Sequence, residues 1–176
     1  SLHYVLGLLQ KGAIDLGFLG AAEVDRHGNI NSTIIGGSYR HPGKRLPGSG
    51  GANDIASCAK ATVIMCLHRP ERLVDRVRYV TSPGFLGGND ERERAGLRIG
   101  GPRMIITDLA VLRFDPVTRD AYVSSIHPGV DPATVVARTG FPIEVPADVP
   151  RTAAPDDRTI ALLRAMDPGG VYLRGR

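Results

Sequence analysis

The chain has 176 residues, of which 42% are hydrophobic and 23% are charged, and its formal net charge is +4. This composition is typical of a soluble globular domain with a hydrophobic core. No apolar run reaches the roughly 20 residues of a membrane-spanning helix. The cations are mixed with acids rather than interleaved with aromatic residues, as a nucleic-acid-binding surface would require. We therefore expect neither a membrane nor a nucleic acid as partner.

Cysteine and histidine residues give no sign of a metal site. Cys58 and Cys66 have neither CxxC spacing nor a neighbouring cluster of metal ligands, and the five histidines are far apart in the sequence. The chain opens without a secretory signal pattern. We expect two buried, reduced thiols in a cytoplasmic protein and no bound metal.

Periodicity and turn residues predict an alternation of short helices and strands. The predicted elements, in chain order, are helix 2–10, strand 14–24, strand 29–35, helix 52–60, strand 61–68, strand 77–81, strand 104–114, strand 121–126, helix 131–140, strand 141–145 and helix 156–166. Such an alternation favours an α/β domain, and a hairpin across 115–120 makes its sheet mixed.

Turn and cap residues support several of these boundaries. Gly28 suits the positive φ of a tight turn, and Asp131 followed by Pro132 is a good helix start. Asn53 or Asp54 could cap the helix that starts at Ala52. The glycine-rich stretches 36–51 and 82–101 are predicted to be loops and the functional edges of the domain.

The strongest local signal is Gly48-Ser49-Gly50-Gly51-Ala52-Asn53-Asp54, a glycine run directly before a helix. Glycines let the backbone approach a ligand closely, and a helix start offers N–H groups to a phosphate, a carboxylate or an oxyanion. A flexible turn is the alternative interpretation. The run is neither a P-loop nor a dinucleotide-binding fingerprint, because no Gly-Lys-Ser/Thr follows and Asn53 replaces the last glycine.

A second polar segment extends from Gly20 to Asn31. Its polar side chains at Glu23, Asp25, Asn29 and Asn31 could face a substrate, or they could satisfy the backbone of their own turn. We favour the turn for Asp25 and Asn29 and leave both roles open for Asn31.

Five segments in a fixed order resemble one family. GFLGAAEVDRHGNINST (17–33), LPGSGGANDIAS (46–57), VRYVTSPGF (77–85), ITDLAVLRFD (106–115) and HPGVDPATVVARTGF (127–141) are similar to the β subunits of glutaconate-type, family I, coenzyme A transferases. The resemblance extends over residues 1 to about 170. More distantly, the chain is similar to 3-oxoacid and 3-oxoadipate CoA transferases.

The resemblance implies an α/β fold of the NagB/RpiA/CoA-transferase type, with a central, mostly parallel mixed sheet flanked by helices. It implies that the partner is an α subunit, in a heterotetramer or larger assembly. The reaction would move CoA from an acyl-CoA to a carboxylic acid such as glutaconate or 3-oxoadipate. It would pass through a glutamyl-CoA thioester, with no tightly bound cofactor.

The resemblance also suggests roles for individual residues. The family's nucleophilic glutamate lies upstream of the GFLGA segment, and we do not find its motif within residues 1–176. Either the glutamate lies upstream of Ser1, in an N-terminal segment that residues 1–176 lack, which is what we expect, or the protein has no such nucleophile. We do not assign that role to Glu23. From the resemblance we expect the N–H groups of Gly50, Gly51 and Ala52 to hold the thioester oxygen, and we group Gly48 with them as a CoA-binding residue. Asn31 and Asn53 are candidates for the substrate side, with the turn role of Asn31 still open.

Two other functions fit the same pattern. A relative in steroid catabolism keeps the fold but cleaves a ring by adding water to a CoA thioester. The glycine run 48–52 favours a transferase over such a hydrolase. A non-catalytic sugar-phosphate-binding module is the third interpretation, since fold does not fix function.

Overall fold

The structure is a computed structural model and describes residues 1–172. Its helices are α1 (Leu2–Gln10), α2 (Ala52–Cys58), α3 (Glu91–Arg94), α4 (Pro132–Arg138) and α5 (Asp157–Met166). Its strands are β1 (Gly17–Gly20), β2 (Glu23–Asp25), β3 (Ile30–Asn31), β4 (Ile34–Gly37), β5 (Pro42–Arg45), β6 (Thr62–Met65), β7 (Leu73–Val74), β8 (Pro102–Ile106), β9 (Ala110–Phe114) and β10 (Ala121–Ile126). The predicted α/β class with a mixed sheet is confirmed.

The largest sheet has five strands in the order β1-β6-β8-β9-β10. The strands β1, β6 and β8 pair in parallel, whereas β8, β9 and β10 form an antiparallel meander. Parallel pairings therefore make up half of this sheet. The residue pair Ala121 and Phe114 joins β10 to β9 across the predicted hairpin.

Two smaller sheets lie in the part of the chain that contains the polar segment 20–31 and the hairpin after it. Strand β2 lies between β3, which is antiparallel to it, and β7, which is parallel to it. Strands β4 and β5 form a separate antiparallel hairpin, with Ile34 opposite Arg45. The side chains of Val24, Ile64, Ile105 and Leu112 belong to one buried core, which places the small β2 sheet against the large one.

One helix cap follows the prediction, at Asp131, and a second forms at Asp156, where no cap was predicted. The Asp131 side chain accepts a hydrogen bond from the Ala133 N–H, and Asp156 accepts one from Thr159, so both carboxylates cap their helices. At α2 the cap residue is Gly51, not Asn53 or Asp54. The helix α5 forms as expected but buries none of its side chains against the rest of residues 1–172.

Several strand predictions were wrong. The predicted strands 14–24, 29–35 and 104–114 each divide in two, because the chain turns within them to join a different sheet or the next strand. Residues 77–81 and 141–145 contain no strand. The glycine- and proline-rich stretch 36–51, predicted to be a loop, contains the β4–β5 hairpin.

Among the described residues, no helix has the length and apolar character needed to cross a membrane.

Candidate functional site

The glycine run is anchored at its first residue to the segment that follows β3. The Gly48 N–H donates to the Ser32 carbonyl over 2.9 Å, and the Ser32 hydroxyl donates to the Gly48 carbonyl over 3.0 Å. Two residues earlier, the Leu46 N–H donates to the Thr33 carbonyl. The segment from Leu46 to Gly48 is therefore hydrogen-bonded alongside residues 32–33. The glycines that follow start from Gly48, whose position is fixed by these bonds.

Two N–H groups of the run remain free. Within residues 1–172, the N–H groups of Gly50 and Gly51 donate to no acceptor, and both residues are exposed. Gly50 has φ +50°, a conformation that glycine adopts without strain. Adjacent free backbone donors of this kind can hold a carbonyl oxygen on which negative charge develops.

Gly51 is not required by the fold of the described chain. Its φ is −83°, which any residue can adopt, and a Cβ built there would lie more than 4 Å from every other group. The open space beside Gly51 therefore leaves its N–H accessible to a ligand. This separates Gly51 from packed glycines such as Gly17, whose added Cβ would collide with the Ile55 side chain.

Only some of the N–H groups predicted to hold the oxyanion are free to do so in the structure. The N–H of Ala52 donates to the Ser49 carbonyl over 2.8 Å, and that of Gly48 is bound to Ser32, so neither group is free to bind a ligand. Asn53 lies on the exposed face of α2, where its side-chain oxygen accepts from the Ser57 hydroxyl over 3.1 Å. The donors that remain are Gly50 and Gly51.

Asn31 lies inside the protein rather than on a substrate-facing surface. Its side chain has no exposed area, and its NH₂ group donates to Glu23 Oε2 over 2.7 Å and to the Ile34 carbonyl over 2.6 Å. Its oxygen accepts from the N–H groups of Thr33 and Ile34. In this chain every hydrogen-bonding group of the Asn31 amide has a partner, which fits the turn interpretation, and the substrate-side position of Asn31 stays a prediction.

Glu23 is the residue that Asn31 holds. The carboxylate is 8% exposed and lies on β2, opposite Asn31 on β3. Asn31 is followed directly by Ser32, the residue that binds Gly48. The buried hydrogen bond between Glu23 and Asn31 therefore helps to fix the position of Ser32.

The turn between β2 and β3 is built on Asp25 and Asn29, as expected. The Asn29 NH₂ group donates to both oxygens of Asp25 and to the Leu86 carbonyl, and the Asn29 oxygen accepts from the N–H groups of Gly84 and Leu86. Burial raises the pKa of Asp25, against the hydrogen bonds from Asn29, Val77 and His27, which lower it. The turn therefore serves to hold the 82–101 stretch in place.

A buried arginine fixes the other end of α2. Arg92 is 1% exposed and donates to the carbonyls of Ala56, Gly84 and Ile99 at 2.8 to 2.9 Å. Its environment contains carbonyl groups rather than a paired carboxylate, and burial lowers its pKa. The alternating sequence Glu91-Arg92-Glu93-Arg94 is typical of a solvated segment, so the sequence contained no signal for this role.

His68 and Cys66 have surroundings that suit a structural role. His68 is fully buried between the hydroxyls of Thr107 and Thr139, and burial lowers its pKa. Cys58 and Cys66 are free thiols, and burial raises the pKa of Cys66 to about 11, which makes it a poor nucleophile. Within residues 1–172, no cluster of three potential metal ligands occurs.

Comparison with known proteins gives a consistent result. Residues 5–138 match the family model described as coenzyme A transferase. The chain is 44% identical over 159 residues to the B subunit of 3-oxoadipate CoA-transferase from Pseudomonas knackmussii, covering 90% of this chain and 61% of that protein. It is 41% identical over 168 residues to the B subunit of glutaconate CoA-transferase from Acidaminococcus fermentans, covering 94% of this chain and 62% of that protein. The chain thus spans about three fifths of the length of these relatives.

Solved structures show the same fold. The crystal structure of glutaconate coenzyme A-transferase from Acidaminococcus fermentans superposes with a TM-score of 0.90 at 36% identity, over 99% of this chain and 68% of that chain. The IpdAB structure from Rhodococcus jostii RHA1 superposes with a TM-score of 0.83 at 25% identity, over 96% of this chain and 67% of that chain. The IpdB protein of that organism is named as part of a cholesterol ring-cleaving hydrolase.

Proposed function

Because this chain belongs to the coenzyme A transferase family, we propose that it forms part of the β subunit of an enzyme that moves CoA from an acyl-CoA to a carboxylic acid. The observation that carries the proposal is the pair of free N–H groups at Gly50 and Gly51, held at the end of a fixed ladder. We propose further that the chain works with an α subunit in the cytoplasm.

The chemistry requires a donor pair of this kind. When a carboxylate attacks a thioester carbonyl carbon, the carbonyl π electrons move to oxygen and a tetrahedral oxyanion forms. When the oxyanion collapses, the C–S bond breaks and the CoA thiolate leaves, giving an anhydride. Attack of the thiolate on the other carbonyl of the anhydride yields the glutamyl-CoA thioester and the free acid. Each step forms an oxyanion, and preorganised N–H donors stabilise it more than they stabilise the planar thioester.

The nucleophile of this scheme is a glutamate that we place upstream of Ser1. Glu23 is a poor substitute, because its carboxylate is buried and already accepts a hydrogen bond from Asn31. The substrate class that we propose is a short dicarboxylic acid and its CoA thioester. The support for this class is the similarity to a glutaconate and a 3-oxoadipate CoA transferase.

Two substitutions at one position test the oxyanion role. Gly51→Pro removes the N–H at a φ of −83° that proline can approach, whereas Gly51→Ala keeps the N–H and adds a methyl group to open space. In the enzyme assembled from both its subunits, we expect Gly51→Pro to lower kcat by roughly 10² to 10³ and Gly51→Ala to lower it far less. Equal losses in the two variants, with equal thermal stability, would count against the oxyanion role.

The second candidate is a hydrolase of the same fold, which the similarity to IpdAB supports. Such an enzyme would add water to the CoA thioester and would need no acceptor acid. Release of free CoA in the absence of any carboxylic acid acceptor, at the same rate as in its presence, would favour this candidate over the transferase.

A further inference from the structure

The hydroxyl of Thr81 contacts the two residues that anchor the glycine run. Thr81 is 7% exposed, and its Oγ1 accepts from the Ser32 N–H over 2.9 Å and lies 2.7 Å from the Thr33 hydroxyl oxygen. These partners are 49 and 48 residues away along the chain, so the local sequence shows neither contact. Because the Thr81 side chain is buried, water competes little for these hydrogen bonds, and they hold their groups firmly.

The backbone around Thr81 fixes where its hydroxyl lies. The Thr81 N–H donates to the Ile30 carbonyl over 2.8 Å. The next residue, Ser82, exchanges hydrogen bonds with Ile30 in both directions, at 2.9 and 3.1 Å, and both of these residues are buried. The Thr81 hydroxyl therefore meets Ser32 from a backbone that is itself bonded to β3, two residues earlier in the chain.

Ser32 is bonded to Thr81 on one side and to the glycine run on the other. Its N–H donates to Thr81, while its carbonyl and its hydroxyl bond to Gly48 at 2.9 and 3.0 Å. Thr33 repeats this arrangement, since its hydroxyl contacts Thr81 and its carbonyl accepts from the Leu46 N–H over 2.9 Å. Thr81 thus contacts both of the residues that hold the chain from Leu46 to Gly48.

The two free donors follow Gly48 within a short turn. Only Ser49 separates Gly48 from Gly50, and the Ser49 carbonyl accepts from the Ala52 N–H over 2.8 Å, so the turn encloses Gly50 and Gly51. Because the turn is this short, a shift of Gly48 also shifts both free N–H groups. Donors stabilise an oxyanion when they lie about 2.7 to 3.1 Å from it, so a small shift lowers the rate of reaction.

We propose that Thr81 is a positioning residue for the reaction at the thioester. It acts through other residues: its hydroxyl holds Ser32, and Ser32 holds the glycine run where Gly50 and Gly51 bind the oxyanion. The inference rests on the proposed function for the reaction itself. It gives a role in that reaction to the segment 77–85, one of the five that resemble the family.

Two substitutions separate the hydroxyl of Thr81 from its bulk. Thr81→Val keeps the branched side chain but leaves the Ser32 N–H without its acceptor, whereas Thr81→Ser keeps the hydroxyl. In the enzyme assembled from both its subunits, we expect Thr81→Val to lower kcat for consumption of the acyl-CoA thioester roughly 10- to 100-fold with KM unchanged, because oxyanion donors act in the transition state. Thr81→Ser should retain most of the kcat. Equal losses of kcat in the two variants, or a rise in KM alone, would overturn the proposal.

Thr139→Val is the matched control, because it removes the hydroxyl of another buried threonine. Thr139 Oγ1 donates to the Val135 carbonyl over 2.8 Å and lies 2.9 Å from His68 Nε2. Within residues 1–172, neither of these partners bonds to residues 46–52. At a temperature well below the unfolding transition of every variant, Thr139→Val should leave kcat unchanged. A fall in kcat as large as that of Thr81→Val would assign both threonines a merely structural role.

A double variant shows whether Thr81 acts through the glycine donors. In Gly51→Pro one donor is already gone, so adding Thr81→Val should lower kcat by a smaller factor than it does in the unsubstituted enzyme. The same factor in both backgrounds, as for independent sites, would overturn the proposal. If Thr81→Val does not fold, Thr33→Val replaces it in both experiments, because it removes the hydroxyl bonded to Thr81 at a half-buried residue. It should lower kcat several-fold, and an unchanged kcat would overturn the proposal.

Measuring thioester consumption with and without an acceptor acid keeps this proposal distinct from the proposed function. Transfer and hydrolysis both begin with attack on the thioester carbonyl and both form an oxyanion, so Thr81→Val should slow either reaction. Consumption that needs no acceptor acid but is slowed by Thr81→Val refutes the transferase and leaves the role of Thr81 standing. Transfer to an acceptor acid that Thr81→Val does not slow refutes the positioning role and leaves the transferase standing.

Discussion

Ser32 and Gly48 are joined by two hydrogen bonds in opposite directions, one from the Gly48 N–H to the Ser32 carbonyl and one from the Ser32 hydroxyl to the Gly48 carbonyl. The second bond depends on a side chain, so it can be removed without changing the backbone ladder. Its loss leaves the start of the glycine run held to Ser32 by the backbone bond alone.

For Ser32→Ala we therefore expect a loss of about 1 kcal/mol in the free energy of unfolding and a fall in kcat with little change in KM. Urea denaturation and steady-state kinetics measure the two effects. Ser57→Ala is the control, because the Ser57 hydroxyl donates only to the exposed Asn53 side chain. If both variants lower kcat equally, the reciprocal pair does not position the glycine run.

The buried pair of Glu23 and Asn31 should tolerate only one charge. Asn31→Asp would place two carboxylates side by side inside the protein, where their repulsion is weakly screened. We expect marked destabilisation that lessens as the pH falls, because protonation of one carboxyl restores a hydrogen bond. Urea denaturation at about pH 5 and about pH 8 measures this difference.

Glu23→Gln provides the counterpart to that change. The glutamine oxygen can still accept from Asn31, so we expect a smaller loss of stability, and the Glu23→Gln and Asn31→Asp double variant should recover most of what Asn31→Asp loses. No recovery in the double variant would show that the pair is not coupled through the contact between Asn31 Nδ2 and Glu23 Oε2.

Arg92 should be irreplaceable by lysine. The guanidinium donates to carbonyls of three different segments, and a single ammonium group cannot match that fork. We expect Arg92→Lys to cost about 3 kcal/mol of unfolding free energy. Arg94→Lys, at an exposed residue paired with Asp90, should cost far less. Similar unfolding midpoints for the two variants would contradict the role given to Arg92.

The pKa values of two aspartates, Asp25 and Asp115, should be shifted in opposite directions from the ordinary value. Burial raises the pKa of Asp25 above its ordinary 3.8, whereas N–H donors from Thr118 and Val117 lower the pKa of the exposed Asp115. Carboxyl carbon NMR of the native protein should show Asp25 titrating at the higher pH. The reverse order would mean that the hydrogen bonds on Asp25 outweigh its burial.

The same shift predicts how Asp25 affects stability. Because its native pKa lies above that of the unfolded chain, the stability that Asp25 contributes is fully present below pH 3.8 and is lost as the pH rises through the native pKa. Asp115 acts in the opposite sense, contributing above its ordinary pKa and losing that contribution as the pH falls.

The sequence predicted those elements whose ends are set by one or two neighbouring residues. The cap at Asp131 and the turn at Gly28 follow from single residues, and the apolar run at 61–68 predicted the parallel strand β6. Strand 14–24 could not be divided in advance, because its two glycines, Gly17 and Gly20, both lie in β1, and the chain passes to another sheet after them, at Ala21 and Ala22.

The site depended on long-range contacts that sequence alone does not show. The run 48–52 was found from its glycines, but the distinction between the bonded N–H groups of Gly48 and Ala52 and the free ones of Gly50 and Gly51 follows from where Ser32 and Ser49 lie. Arg92 was missed because its carbonyl partners come from three separate segments.

The most direct test of the account is mass spectrometry of the complete β subunit, co-expressed with its α partner and incubated with an acyl-CoA before borohydride treatment. We expect a mass change on one glutamate upstream of Ser1, which marks the glutamyl-CoA thioester, and less of this adduct in Gly51→Pro than in Gly51→Ala. No adduct on any glutamate, together with free CoA released without an acceptor acid, would contradict the transferase and favour the hydrolase.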